Sequence, residues 1–305
     1  MNPTDSSNTW FPGRNWSPAH RVTSVVFGGL GNRLRCITTS LVVAQELGFD
    51  LDVFWSRHEV CGYTHFLDLF EDCSIAFVAS RPRTPVVATT PLRPRPWFRF
   101  RSERRTCLET SGIDGTLYLA HLPQKSFCLK TWHNMKPDTL SDAAFLKRKG
   151  AFLSSLHPVR EIQSRIDALV EHFSAGTVGV HVRSTDSNFR WRDSAWPDLD
   201  LYFAEMRRCL EEQEEATFFV CADDESVVDA FHSRFGKKVR SSNELLGLRD
   251  VNRRSKEGQL AAVVDLFCLA KTRKIIGTRC STFSYEAAAL GGLPIVEISG
   301  VLASE

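Results

Sequence analysis

Residues 21–55 carry the feature that most restricts the fold. The apolar run Val25-Val26-Phe27 enters Gly28-Gly29-Leu30-Gly31-Asn32-Arg33, and Leu30, Leu34, Ile37, Leu41, Ala44 and Leu47 then recur at helical spacing. Gly48 stops that helix, and residues 51–55 return to a strand pattern. Strand, short loop, helix and strand in immediate succession make a βαβ unit and a parallel sheet. The alternation resumes at Thr177. Strands are expected at 177–183, 217–222, 237–240, 273–277 and 294–298, and helices at 198–215, 224–235, 258–272 and 282–290. Such repetition means a doubly wound α/β domain. The chain therefore reads as two βα-type halves, with a cleft between them as the natural ligand site.

A length of 305 residues accommodates both halves. Residues 1–20 read as a loose tail, 21–155 as an amino-terminal domain and 156–305 as a carboxyl-terminal one. A further strand is expected at 116–122, and helical patterns run through 139–173 with a break near Pro158. Residues 81–105 differ. Eight arginines stand there among several prolines and the single acid Glu103, and proline works against regular structure. Two readings stay open for this stretch: a solvated surface loop, or an arginine-lined loop receiving an anionic or sugar acceptor.

Hydrophobic and charged residues make up 43% and 24%, as in a soluble globular protein. The net charge of +2 disfavours a dedicated nucleic-acid binder. No apolar run approaches the roughly 18 residues of a membrane span. The polar start shows no secretory signal, so a cytoplasmic, soluble protein is expected. Nine cysteines are scattered, and Cys36, Cys209, Cys221 and Cys268 fall inside apolar patterns, which suits buried thiols rather than a disulfide framework. The sequon Asn15-Trp16-Ser17 is followed by Pro18 and carries little weight.

Several constellations could carry chemistry. His181 and Arg183 alternate onto one face at the carboxyl end of their strand, where ligands of open α/β sheets bind. A guanidinium there suits a phosphate or pyrophosphate, or else pairs with an acid such as Asp186. Ser281, Thr282 and Phe283 open a helix after another strand. Capping would explain the hydroxyls, and an anion site would also. Asp265 lies in an otherwise apolar helix and must be paired or face a ligand. Asp223 or Asp224 caps the next helix on the simplest reading. Asp198-Leu199-Asp200 has a metal-binding form but sits where a helix start favours acids.

Together these pieces resemble the fucosyltransferase superfamily, which includes bacterial nodulation α-1,6-fucosyltransferases and protein O-fucosyltransferases. The resemblance lies in Gly28 to Arg33, in Trp55, Cys61-Gly62, Phe66 and Asp68-Leu69-Phe70, in His181-Val182-Arg183-Ser184-Thr185-Asp186, and in Asp265 through Ser284. Residues 81–170 match no named motif. The resemblance implies a GT-B fold, two Rossmann-like domains with a ligand cleft between them. It implies an inverting transferase that needs no metal and takes GDP-fucose as donor and a glycan or protein hydroxyl as acceptor. Arg183, His181 and Asp186 would serve catalysis. Gly29, Gly31, Asn32, Arg33, Asp223, Asp265, Ser281, Thr282 and Phe283 would bind the nucleotide sugar. Glu59, Asp68 and Trp191 would serve the acceptor side. Phe189, Trp191 and Trp196 either wall the acceptor or fucose or simply pack. The general base stays open among Glu59, Asp68 and Asp186. Two other readings remain: a GT-B enzyme using another nucleotide sugar, and a dinucleotide-dependent oxidoreductase. The second would use Asp50 or Asp52 on the ribose, but Leu34 replaces its third glycine. A catalytically silent glycan- or nucleotide-binding module is the non-enzymatic reading.

Overall fold

The computed structural model describes residues 20–58, 61–88, 102–104, 115–184, 198–246 and 254–299, with 102–104 and 245–246 described by their backbone. The chain divides into two compact units. One holds Met1–Gly28, Asn32–Ser56 and His65–Leu156, and the other holds Gly29–Gly31, Arg57–Thr64 and His157–Glu305.

The first unit contains β1 (Arg21–Val26), α1 (Leu30–Leu47), β2 (Asp50–Trp55), β3 (Ala76–Phe77), β4 (Val86–Ala88), β5 (Ser102–Arg104), β6 (Gly115–Leu117), β7 (Phe127–Lys130), β8 (Met135–Pro137) and α2 (Asp142–Ser154). Its main sheet runs β3-β2-β1-β7-β4, and each neighbouring pair is parallel. The expected βαβ unit is therefore present, with Arg21 level with Asp50 and Val26 with Trp55. Gly48, at φ 71°, ends α1 in the left-handed conformation glycine adopts without strain. Leu34, Ile37 and Leu41 are buried on α1.

Two local expectations are corrected. The strand foreseen at 116–122 is only the short β6, followed by a 3-10 turn at Leu119–His121. The proline-rich stretch holds β4, whose three residues pair in parallel with β7 at the sheet edge, where proline neighbours are tolerated. β5, β6 and β8 form a separate small sheet, antiparallel between β5 and β6 and parallel between β6 and β8.

The second unit contains α3 (Arg160–Val170), β9 (Thr177–Val182), α4 (Leu199–Glu212), β10 (Thr217–Ala222), α5 (Glu225–Phe235), β11 (Val239–Arg240), α6 (Ser242–Leu246), α7 (Lys256–Leu269), β12 (Ile275–Thr278), α8 (Thr282–Gly291) and β13 (Ile295–Ile298). The sheet runs β11-β10-β9-β12-β13 and is parallel throughout. The chain moves outward from β9 to β11, then returns to place β12 on the other side of β9. Strand order reverses between β9 and β12, which makes their carboxyl ends the topological switch point.

Val178, Val180, Tyr202, Met206, Phe218, Val220, Phe231 and Ile276 form the core beneath that sheet. On the other face α7 is buried nearly all round, as its apolar sequence requires. Gly179 admits it: a Cβ there would lie 2.8 Å from Leu269 and 2.9 Å from Thr272. Every described cysteine is a free thiol. No described helix is long and apolar enough to cross a membrane.

Candidate functional site

β9 delivers His181 and Arg183 to the switch point. In the ladder His181 stands level with Gly277 of β12 and Cys221 of β10. A Cβ on Gly277 would lie 2.7 Å from Ser284. Glycine at that level therefore lets α8 come close, and the Ser284 hydroxyl reaches His181 Nδ1 at 2.8 Å. Phe283 stacks on the imidazole, with centroids 4.8 Å apart. Burial, aided by the Arg183 charge and opposed by Asp223, lowers the His181 pKa to about 3. The ring is accordingly neutral at physiological pH, able to donate one hydrogen bond and accept another.

Arg183 is the first residue beyond β9. Its guanidinium Nε lies 3.3 Å from Asp223 Oδ2. The other carboxylate oxygen accepts from the Ser184 amide at 2.7 Å and from its hydroxyl at 2.9 Å. The two acids after β10 have thus divided their roles. Asp224 caps α5, accepting from the Ser226 amide at 2.9 Å, while Asp223 turns to Arg183 and Ser184. Asp186, the acid weighed as the partner of Arg183, lies outside the described residues.

α8 begins beside them. Ser281 occupies its N-cap position but makes no side-chain capping bond, so capping does not account for this serine. Cys280, just before it, has φ 61°. A non-glycine residue there costs free energy and belongs with tightly constrained sites. The first-turn amides of α8 and the positive end of its dipole face the same strand end as Arg183. Gly31 packs against this turn, since a Cβ on it would lie 3.0 Å from the Phe283 nitrogen and 3.0 Å from Thr282 Oγ1. Gly29, whose neighbourhood is open, clusters with the second unit as Gly31 does.

Asp265 sits on α7, and its buried Oδ1 has no hydrogen-bond partner among the described residues. Desolvation raises its pKa to about 7, against a hydroxyl bond from Ser242 that lowers it. A buried carboxylate with an unused acceptor suits the donor groups of a ligand. Burial, with the Asp265 carboxyl adding to it, pushes the Cys221 and Cys268 thiols well above their ordinary range.

Other expected site residues lie differently. Arg33 has no exposed surface. Its Nε donates to the Gly28 carbonyl at 2.8 Å, its Nη1 donates to the Ser56 carbonyl at 3.0 Å, and its guanidinium lies 4.7 Å from the Trp55 ring centroid. Arg33 thus ties the Gly28 end of the loop to the chain just beyond β2. Asn32 folds toward Gly28, where a Cβ would meet its Nδ2 at 2.9 Å. Asp68 ends the 3-10 turn Phe66–Asp68 in a capping box with His65, accepting from its amide at 2.6 Å. Asp198 caps α4, accepting from the Asp200 amide at 3.0 Å. No group of three or more potential metal ligands occurs among the described residues. Glu59, Phe189, Trp191 and Trp196 lie outside them.

Sequence reasoning missed Thr278 and Tyr202. Thr278 was legible as a polar residue ending an apolar strand at the ligand-binding edge. Tyr202 gave no signal, because its ring occupies an ordinary helical core position.

No family model and no curated protein matches the chain. Solved structures do. NodZ α-1,6-fucosyltransferase soaked with GDP-fucose aligns over 91% of this chain and 94% of its own, with a TM-score of 0.58 and 21% identity. Another crystal structure of NodZ, from Bradyrhizobium, gives the same score over 92% of this chain. A GDP complex of FUT1 from Arabidopsis thaliana covers 95% of this chain and 73% of its own, at 0.54 and 13% identity. POFUT1 with GDP covers 93% and 99%, at 0.55 and 11% identity. The chain shares the fold of these fucosyltransferases. The α/β, GT-B fold class expected from the sequence resemblance is thereby met.

Proposed function

We propose that the chain is an inverting, metal-independent glycosyltransferase that moves fucose from GDP-fucose to a glycan or protein hydroxyl. One observation carries this reading. A neutral His181, the Arg183–Asp223 pair and the uncapped start of α8 converge at the switch point of the second sheet, in a fold shared with an enzyme solved with GDP-fucose.

Displacement at the anomeric carbon passes through an oxocarbenium-like state while negative charge grows on the departing GDP. Arg183 and the α8 amides are placed to stabilise that charge, and Asp223 fixes the guanidinium in advance. Loss of one such preorganised donor typically costs about 2.7–4 kcal/mol in the transition state. His181 adds an uncharged hydrogen bond, and Asp265 accepts from the guanosine moiety. Ser281, Thr282 and Phe283 line the β-phosphate, with Gly29 and Gly31 giving close backbone approach to it. Asp186, Glu59 and Asp68 remain the candidates for accepting the acceptor proton.

The oxidoreductase reading is disfavoured by where its ribose candidates lie. Asp52 receives the Arg21 guanidinium at 3.0 and 3.1 Å, and Asp50 lies 3.9 Å from the same guanidinium, toward the amino ends of β1 and β2. Leu34, where the third glycine would stand, is fully buried.

Thermal-shift measurements against GDP, UDP, GDP-fucose, GDP-mannose and NAD test the assignment, because a ligand that binds only the native state raises the melting temperature. GDP and GDP-fucose should stabilise. Stabilisation by NAD alone rejects the reading, and GDP-mannose outperforming GDP-fucose reassigns the sugar. Transfer should survive EDTA. A strict need for Mg²⁺ or Mn²⁺ would reject the metal-free mechanism.

A further inference from the structure

Thr278 ends β12 with its hydroxyl at the meeting point of three elements. The Arg183 amide donates to its Oγ1 at 2.8 Å, the Tyr202 hydroxyl lies 2.7 Å away, and the His181 carbonyl lies 3.4 Å away. A threonine hydroxyl has one proton and two lone pairs. The carbonyl can only accept and the amide can only donate. The Arg183 amide takes one lone pair, and the Thr278 and Tyr202 hydroxyls share the 2.7 Å bond, with either one as donor. These bonds are made in a place where Tyr202 is 0% and Thr278 8% exposed.

The ladder explains why a side chain is needed. The β9–β12 register ends with His181 level with Gly277. The Arg183 amide has thus left the sheet, and Thr278 supplies its acceptor. Asp223 holds the same residue at its guanidinium. Arg183 is fixed at both ends, by a carboxylate at the head and a tyrosine-backed hydroxyl at the backbone.

We propose that Thr278, oriented by Tyr202, is a positioning residue that sets where the Arg183 guanidinium stands against the leaving diphosphate. This rests on the role given to Arg183 above. Thr278 touches no reacting atom, and its effect passes through Arg183.

The test separates positioning from stability. Thr278→Val strands two buried polar groups, the Arg183 amide and the Tyr202 phenol, and should lower both the melting temperature and turnover. Adding Tyr202→Phe removes the stranded phenol. The double variant should recover most of the melting temperature while turnover of GDP-fucose stays depressed. A small misplacement of a catalytic group can cost about 10²-fold, and a loss of that order is expected in kcat with little change in donor KM. Tyr202→Phe alone keeps the Arg183 anchor and should lose far less. Thr278→Ser, which restores the hydroxyl, should regain most of the turnover lost in Thr278→Val.

Turnover that recovers in step with the melting temperature in the double variant overturns the proposal, as does wild-type turnover in Thr278→Val. A wild-type protein that neither binds GDP nor turns over GDP-fucose overturns the functional reading and this inference together. An active wild type with indifferent Thr278 variants overturns the inference alone.

Discussion

At the residue scale, the site depends on which neighbour each charged group finds. Arg183 finds Asp223, and the expected outcome for Arg183→Ala is loss of transfer with the fold retained, read from product formation and far-UV circular dichroism. Near-normal turnover would remove Arg183 from the mechanism. Arg33 finds two backbone carbonyls. Arg33→Met keeps its volume but strips charge-assisted bonds typically worth about 1.5–3 kcal/mol each, so the urea midpoint should fall markedly. An unchanged midpoint would show that those bonds do not hold the loop. Asp265 makes stability depend on pH. Burial raises its pKa from 3.8 to about 7. Between those values the folded chain keeps a proton that the unfolded chain has released. Its contribution is therefore complete below about pH 4 and is lost as pH rises through 7. Asp265→Asn should remove that decline, measured as denaturation midpoints from pH 5 to 8. A ligand donating to Asp265 favours the ionised form, so GDP should bind more weakly at pH 6 than at pH 8. His181, held neutral down to about pH 3, should add no limb to the activity profile near its ordinary pKa. None of these pairings was legible locally. Asp223 and Asp224 are chemically identical neighbours, and only the packed loop decides which one caps and which one binds.

At the element scale, close approach of α8 to β12 creates the His181–Ser284 contact. Gly277→Ala would push a methyl group against Ser284 and move the helix start outward. Lower thermal stability and weaker GDP binding should appear together in this variant. Full GDP affinity would show that the helix start is not part of the donor site. Gly62 (φ 56°) packs in the same manner on the α7 N-cap, where a Cβ would collide with the Ser255 carbonyl. The longer elements follow from periodic burial: α1, α4, α5 and α7 lie close to where apolar spacing puts them. The short strands do not. β3, β4 and β7 have two to four residues each, too few to show a period, and they exist because a neighbouring strand offers a ladder.

At the scale of the whole molecule, two sheet-based units each carry their own core, and the proposed donor residues gather in the second. Hydrogen exchange with and without GDP should show new protection at 181–184 and 278–286, with little at α2 in the first unit. Protection confined to the first unit would reverse the assignment. The sequence by itself determined the parallel α/β architecture, because a strand followed by a short loop and an amphipathic helix has few other ways to bury its apolar faces. It also placed His181, Arg183 and Ser281–Ser284 at the ends of their elements, since strand ends and helix starts are local properties, and it put Asp265 inside an apolar helix. Tertiary structure alone decided that Asp223 holds Arg183, that Arg33 turns inward to Gly28 and Ser56, and that one threonine oxygen joins β9, β12 and α4. Those contacts join residues as far as 95 positions apart, and such pairings become defined only when the sheet and its helices have closed around them.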